Sequence, residues 1–394
     1  MSKAEKPVAV LAGAFLFNLG QGVLRPTMPL YLQHIFAANY QMVTLIPVAF
    51  GLGKWMASLP TGYLLDLLGR RRLMAGGLIL IALADLGSAM AAAYGVFLSL
   101  RALGGVGWAA FSTAATTTVV DQAARRGRAV SLLLMSETSG LLLGSTAGGW
   151  LYQGVSVVGP FVFEATCMLV AVAAFAIEPT SASTASPRSA ATFARLDWRL
   201  LRVVLRIPGV LLMSLSNAVL IGIQTGVLVF LFPLYLVEQG GLRPEMVGLF
   251  VSLSVLGRLL GLWLAGNASD RWGRERVLVP GLLVFAALLG SLPLVVHLVA
   301  LGLWSLAIGV AAGSVAGLPT VLIGDRVVPP LQGVAIGWLR TMADTGHVLG
   351  PIIMGMLADA MQLTTPFLFA AVLLVGVAWQ CRRRADGESP RVAV

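Results

Sequence analysis

The sequence predicts an all-α integral membrane protein with twelve transmembrane helices in two pseudo-symmetric six-helix bundles. Three observations predict this fold: the composition, the lengths of the apolar runs and an internal repeat. Hydrophobic residues make up 58% of the 394 residues and charged residues only 11%, and the mean hydropathy is +0.88. A soluble domain carries about a quarter charged residues, so this composition indicates a protein that lies largely in lipid.

The apolar runs have the lengths of membrane spans. A helix of about 20 residues crosses the hydrocarbon core of a bilayer. Twelve runs approach or exceed that length, and the predicted spans are residues 8–34, 43–65, 73–93, 96–119, 129–152, 159–178, 208–236, 245–265, 277–296, 300–323, 333–360 and 365–380.

The positive charges predict the topology. Most of the 27 Lys and Arg residues fall in loops on one side of these spans, and only Arg243 lies in a loop on the other side. Because positively charged loops remain in the cytoplasm, we predict a multi-pass protein of the inner (cytoplasmic) membrane with both termini cytoplasmic. The basic residues are spread over loops instead of being gathered with aromatic residues, so nucleic acid is not a predicted partner despite the net charge of +10.

The second half of the chain repeats the first. Pro29-Leu-Tyr-Leu32 recurs as Pro233-Leu-Tyr-Leu236, a shift of 204 residues, and a slip to 206 carries Gly140 onto Gly346. Six spans per half is an even number, so both halves have the same orientation, as in transporters built from parallel repeats. The predicted domains are an N-terminal bundle (1–178), a cytoplasmic linker (179–207), a C-terminal bundle (208–380) and a cytoplasmic tail (381–394).

The linker is predicted to end in a basic amphipathic helix. Arg195, Arg199, Arg202 and Arg206 recur at helical spacing, with apolar residues on another face. Such a helix favours the surface of the anionic inner leaflet. A solvated linker is the alternative.

Two short motifs occupy equivalent loops. Gly62-x-x-x-Asp66-x-x-Gly69-Arg70-Arg71 follows the second span, and its copy, 204 residues later, contains Gly266, Asp270, Gly273 and Arg274. They resemble the loop 2–3 motif of the major facilitator superfamily and its second-half copy. Arg101-Ala-Leu-Gly-Gly105-Val-Gly107 is similar to the fourth-helix motif of proton-coupled members. The resemblance covers the whole chain and implies the fold of that family and transport by alternating access.

The loop motifs are predicted to control the conformational cycle. Gly62 would permit close approach of another helix. Asp66 would face the positive N-terminal end of a helix, which the resemblance identifies as the eleventh span.

The fifth span carries a ladder of small residues that resembles the pattern of antiporter members. The ladder has Ser145 where that pattern has proline, and the span-one acid of many drug exporters does not occur. We predict a close helix seam between this ladder and the eleventh span, formed by Gly140, Gly144, Gly148, Gly149, Gly346, Gly350 and Pro351.

Ionisable residues within the spans are the predicted coupling and substrate sites. Each costs roughly 3 kcal/mol or more at the bilayer centre, so each is expected to face a partner or a watery cavity. Asp85 and Glu137 are candidate proton carriers. Arg25, Arg101 and Arg340 have no charged counterpart in the repeat and are the strongest candidates among the bases. The remaining candidates are Lys54, Arg258, Asp344, His347, Gln21 and Gln224, and Glu164 is a further intramembrane acid.

Two of these predictions have alternatives. Arg340 and Asp344 are four residues apart, so mutual pairing is as plausible for them as function, and His347 shares their helix face. Lys54 and Arg258 are equivalent in the repeat, which suits either a shared structural role or a paired positive site.

The predicted function is secondary active transport of a small molecule, with proton-coupled export of an amphipathic or drug-like compound preferred. The alternatives are uptake or exchange of an organic anion and lipid flipping. No P-loop and no nucleophile or metal motif is present in the sequence, so we predict neither an enzyme nor a bound cofactor or metal. The expected partners are the substrate, protons and the lipid bilayer, and the expected functional form is a monomer.

Overall fold

The computed structural model describes residues 8–122, 126–177, 198–295 and 297–387, and almost all of these residues are helical. The α-helices in chain order are α1 (Val8–Phe36), α2 (Tyr40–Leu68), α3 (Arg70–Ala89), α4 (Tyr94–Gln122), α5 (Arg126–Gly154), α6 (Gly159–Ile177), α7 (Trp198–Arg206), α8 (Val210–Ile223), α9 (Phe232–Glu238), α10 (Pro244–Trp272), α11 (Arg274–Ser291), α12 (Leu298–Ala316), α13 (Leu318–Arg326), α14 (Pro329–Ala360) and α15 (Thr365–Gly387). A π-helical segment, Gln224–Leu231, joins α8 to α9, and a 3₁₀ turn, Leu292–Leu294, follows α11.

The helices have the dimensions that a membrane requires. Within the described residues, seven helical stretches are long and apolar enough to cross a bilayer: Arg70–Ala89, Tyr94–Val119, Val210–Glu238, Pro244–Trp272, Arg274–Leu294, Leu298–Arg326 and Thr365–Arg383. The other five predicted spans, α1, α2, α5, α6 and α14, are helices of 19 to 32 residues. The predicted all-α fold of twelve membrane helices is therefore confirmed.

The chain divides into two compact units. The first comprises Met1–Arg195 with Leu236–Ser252, and the second comprises Leu196–Tyr235 with Leu253–Val394. In the first unit α1 packs on α5 and α6, and α3 packs on α4 and α6. In the second unit α8 packs on α14, and α11 packs on α12 and α15, which is the same pattern at equivalent spans. The predicted domain boundaries remain a prediction.

The repeat extends to individual contacts. Tyr31 donates a hydrogen bond to the Ser88 carbonyl at 3.3 Å, and Tyr235 donates one to the Leu292 carbonyl at 3.3 Å. Donor and acceptor of the second bond each lie 204 residues after those of the first. The Tyr31 ring lies 4.7 Å from that of Phe161, and the Tyr235 ring lies 5.5 Å from that of Phe367, the residue 206 positions later. The two halves therefore share a scaffold at the level of single side chains.

Glycines bring the same pairs of helices together in both units. At four positions an added Cβ would overlap a backbone oxygen of the neighbouring helix, so no larger residue fits there without a shift. The first unit has Gly53 against Ala102 and Gly105 against Phe50, and the second has their counterparts, Gly257 against Leu306 and Gly309 against Ser254.

The cytoplasmic loops predicted around the two motifs are single residues. Gly69 alone separates α2 from α3, and Gly273 alone separates α10 from α11. Their backbones have φ of 78° and 90°, a region that favours glycine. Arg70 to Arg72 therefore form the first turn of α3, because a one-residue turn leaves no room for a basic loop.

Two predicted spans are interrupted instead of continuous. The seventh changes to π-helix at Gln224, shortly before Pro233, which has no N–H to donate within the helix. The tenth breaks at Gly317, and the next helix, α13, begins at Leu318 with Pro319 in its first turn.

The ends of the C-terminal half also differ from prediction. The last helix continues to Gly387, and Cys381, which we placed in the tail, is buried on it. In the linker, α7 presents Arg202 and Arg206 outward and buries Val204, as an amphipathic helix does, whereas Arg195 lies outside the described residues.

Candidate functional site

A buried ion pair joins α3 and α4 in the first unit. Arg101 Nη2 donates to Asp85 Oδ1, and the two side chains are only 3% and 1% exposed. Ser88, one turn along α3, accepts from Arg101 Nε at 3.2 Å and from Nη2 at 3.0 Å. The sequence identified Asp85 and Arg101 separately, and the structure brings them together.

Close packing of α3 on α4 and a set of aromatic rings enclose this pair. Gly77 and Gly107 face each other's carbonyl oxygens, so the two backbones approach closely. The guanidinium carbon of Arg101 lies 5.7 Å from the ring centres of both Phe97 and Phe161. The rings exclude water and present their faces to the cation, which strengthens the electrostatic interactions within.

A second carboxyl group completes the cluster. Glu164 on α6 is fully buried, and Gln21 Nε2 on α1 donates to its Oε1 at 2.5 Å. The side chains of Glu164 and Asp85 are within hydrogen-bonding reach of each other. Gly20 lets α6 approach α1 closely at this point, because an added Cβ there would lie 2.8 Å from Glu164 Cγ. From the sequence, Glu164 was recognisable only as an acid within a predicted span, because no sequence pattern links it to Asp85 or Arg101.

The charged residues of the cluster occur only in the first half of the repeat. The counterparts of Asp85, Arg101 and Glu164 are Leu289, Ser305 and Ala370. These three residues are buried in the second unit without a charge. The scaffold around the two sites is shared, and the charges are not, which is what a functional site added to a repeated fold produces.

The remaining predicted coupling residues have surroundings of their own. The Lys54 ammonium lies 4.7 Å from the ring centre of Trp108. His347 Nδ1 on α14 is 3.1 Å from Thr225 Oγ1, beside Gln224 in the π-helical segment. Arg25, Glu137, Arg258 and Asp344 are half-buried, and Arg340 is exposed.

The second copy of the loop motif forms an ion-pair network within its own unit. Arg274 Nε donates to Asp325 Oδ2 at 2.5 Å, and Arg274 Nη1 lies 3.6 Å from Asp270 Oδ1. Arg326 pairs with Glu275 beside it. Asp325 is the partner that sequence reasoning missed, although it is the repeat equivalent of Asp121 and could have been found from that symmetry.

The predicted close approach at the motif glycine is not found in the second copy. A Cβ at Gly266 would meet nothing within 4 Å, so a larger side chain would fit there without displacing a neighbouring helix. In the first copy, α2 contains Gly62 and Asp66, whose surroundings lie outside the part of the chain that the structure describes, so the predicted contact of Asp66 stays a prediction.

The glycine ladder of the fifth span has a close neighbour within its own unit. Added Cβ atoms at Gly140, Gly144 and Gly148 would overlap carbonyl oxygens of Phe15, Leu19 and Val23, so the ladder packs on α1. The predicted seam with the eleventh span stays a prediction. Gly149 faces Pro244 and Glu245 at the start of α10. In the second unit, Gly346 and Gly350 likewise pack on α8, and Pro351 faces Gly226. Small residues on a helix permit a close neighbour without specifying which one.

A carboxylate at the end of α9 was also missed. Glu238 accepts from Gln33 Nε2 at 2.5 Å and from the Tyr40 hydroxyl. All three residues belong to the first unit. Among the described residues, no group of three or more His, Cys, Asp or Glu side chains is arranged to hold a metal ion.

The sequence is similar to a family model and to known membrane proteins. Residues 10–243 and 215–392 match the family model described as Major Facilitator Superfamily. Multidrug resistance protein 2 of Bacillus subtilis (strain 168) is 24% identical over 380 residues, which is 94% of this chain and 93% of that protein. The MFS-type transporter YcaD of Escherichia fergusonii is 26% identical over 304 residues, 75% of each chain.

Solved structures share the architecture. The nucleoside transporter NupG aligns with a TM-score of 0.81 at 15% identity, covering 97% of this chain and 99% of that one. A D-xylose-proton symporter aligns with a TM-score of 0.72 at 17% identity, covering 95% and 96%. At these identities the likeness concerns the fold alone.

Proposed function

Because this chain belongs to the Major Facilitator Superfamily of secondary transporters, we propose that it exports an amphipathic, drug-like compound in exchange for protons. Alternating access would expose one site first to the cytoplasm and then to the far side of the membrane. The energy would come from the proton gradient, without a bound cofactor.

The proposed proton coupling rests on the buried cluster of Asp85, Arg101 and Glu164. Ionisable groups within a membrane are costly and are characteristic of proton relays and ion pathways. Here two acids face one base, and all three side chains are buried. A purely structural ion pair would need one acid, so the second carboxyl group supports a titrating role.

The export of a drug-like compound rests on a different observation. The relative with the name Multidrug resistance protein 2 aligns over nearly the whole of both chains. The small-residue ladder of α5, which resembles the antiporter pattern, supports the same direction of transport.

Proton-coupled uptake of an organic anion is the second candidate. The observation in its favour is Lys54, a half-buried cation in contact with Trp108 at 4.7 Å, whose repeat equivalent is the half-buried Arg258. Two cations at equivalent positions within the spans would suit an anionic substrate.

Transport in proteoliposomes tests both candidates. The purified protein would be reconstituted and supplied with lipophilic drugs or organic anions in the bath, with an imposed pH difference. An antiporter will accumulate substrate when the lumen is the more acidic side, because protons leave as substrate enters. A symporter will do so when the bath is more acidic.

A protonophore provides the control, since it collapses the proton gradient without touching the protein. Accumulation must stop when it is added. Active accumulation that ignores both the pH difference and the protonophore would overturn proton coupling, and accumulation with an acidic bath would favour the second candidate.

A further inference from the structure

The hydrogen bonding of the buried cluster is incomplete if both acids are ionised. Asp85 Oδ1 accepts from Arg101, and Glu164 Oε1 accepts from Gln21. The other oxygen of each group, Asp85 Oδ2 and Glu164 Oε2, is buried and receives no hydrogen bond in the described part of the chain. Buried carboxylate oxygens without donors are strongly unfavourable.

One proton resolves the arrangement. A proton on Glu164 Oε2 donated to Asp85 Oδ2 would satisfy both oxygens with a single hydrogen bond. It would also reduce the cluster from one base and two carboxylates to a neutral set, as when two neighbouring carboxyl groups share a proton. Asp85 is the ion-pair partner of Arg101, so a proton placed there would break that pair.

We propose that Glu164 is the proton carrier of this transporter and that, in this structure, its Oε2 holds a proton hydrogen-bonded to Asp85 Oδ2. On release, the O–H bond breaks and the proton passes to water. Glu164 then remains as a second carboxylate beside Arg101, and the excess negative charge drives the cluster to rearrange. The role as carrier rests on the proposed proton coupling, whereas the protonated state does not.

The phenol, thiol and guanidinium groups around the cluster do not offer an alternative carrier at neutral pH. Phenols and thiols have ordinary pKa values well above neutrality, and guanidinium groups remain protonated. The charged and titratable groups that interact with Glu164 are Asp85 from α3, Arg101 from α4 and Cys167 from α6 itself. Tyr31 from α1 lies beside Arg101, and Tyr152 from α5 lies beside Tyr31. The same helices also carry Arg25 on α1 and Glu137 on α5.

Infrared spectroscopy tests the protonated state without any transport. A protonated carboxyl group in a dry site gives a C=O stretching band apart from those of carboxylates. The wild-type protein at neutral pH is expected to show this band, Glu164→Gln to lose it, and Asp359→Asn, which alters an exposed acid near the end of α14, to retain it. A band that survives in Glu164→Gln would overturn the proposal.

Transport tests the carrier role. A glutamine keeps an acceptor for Gln21 and supplies an N–H donor for Asp85, so Glu164→Gln mimics the protonated state and should fold. It is expected to exchange substrate down its gradient while losing all response to the pH difference. Retained pH-driven accumulation in Glu164→Gln, with its loss in Glu137→Gln, would assign the carrier to Glu137 instead.

The two experiments separate the two proposals. Loss of the band in Glu164→Gln together with wild-type transport that ignores pH would leave the protonated Glu164 intact and overturn the proposed function. Retention of the band in Glu164→Gln together with pH-driven transport by the wild type would support the proposed function and overturn the protonated Glu164.

Discussion

Asp85 and Arg101 lie 16 residues apart in sequence and form an ion pair that is almost entirely removed from solvent, with both partners within predicted membrane spans. Arg101 is also held by Ser88 and lies between two aromatic rings. The pair therefore has a fixed geometry, and the effects of removing either partner are unequal.

Removing the base should cost more stability than removing the acid. Arg101→Gln leaves Asp85 as an uncompensated buried charge, for which a loss of about 3–5 kcal/mol is expected. Asp85→Asn should cost less, because Glu164 remains near Arg101. Chemical unfolding in detergent measures both. The double variant Asp85→Asn/Arg101→Gln should cost less than the sum of the two single changes, and strictly additive losses would contradict the pairing.

Ser88 is expected to matter more than a matched serine in the other half. Ser88 and Ser305 are both fully buried, and each donates to the carbonyl four residues earlier, at 2.6 and 2.8 Å. Ser88 in addition accepts two hydrogen bonds from Arg101. Ser88→Ala should therefore lower the free energy of unfolding by about 1–3 kcal/mol and weaken pH-driven transport. Equal effects of Ser88→Ala and Ser305→Ala would show that the contacts to Arg101 contribute nothing.

The repeated glycine contacts give a symmetric prediction. Gly105→Ala and Gly309→Ala each place a methyl group against a backbone oxygen, of Phe50 and of Ser254. Each should destabilise the protein by about 1–3 kcal/mol or more. Gly76→Ala is the matched control on α3, because an added Cβ meets nothing within 4 Å. It should be neutral or stabilising by up to about 1 kcal/mol, and thermal unfolding of the three variants decides the matter.

The one-residue turns should be intolerant of alanine. Gly69→Ala and Gly273→Ala force a side chain into a backbone region that only glycine adopts readily, at an expected cost of about 1–3 kcal/mol each. Gly317→Ala, at φ of −91° with no neighbour within 4 Å, should be tolerated. If all three variants unfold alike, backbone conformation is not the reason for glycine in the loop motifs.

Much of the fold could be predicted because its causes are local or repeated. Composition and span length indicate membrane helices, and the shift of 204 residues pairs Tyr31 with Tyr235, whose hydrogen bonds are equivalent in the structure. The residues at or near which two spans are interrupted, Gly317 and Pro233, are visible in the sequence. Whether they interrupt a helix depends on whether the neighbouring helices support a continuous span.

The site was harder to predict, because it depends on which helix faces which. The sequence identified Asp85, Arg101, Gln21 and Glu164 as polar groups in spans, but a periodic apolar pattern does not specify the rotation of a membrane helix whose lipid-facing and core-facing sides are both hydrophobic. For the same reason, the glycine ladder of α5 did not by itself indicate α1, on which it packs.

By itself, the sequence determined that this protein is a helical membrane protein of two repeated halves, with glycines at the turns of both loop motifs and charged residues within several spans. Only the tertiary structure decided that Glu164 from α6 and Asp85 from α3 meet beside Arg101. The physical reason is that length, hydropathy and repetition act along the chain, whereas a buried charge is stabilised by partners that three-dimensional packing brings to it.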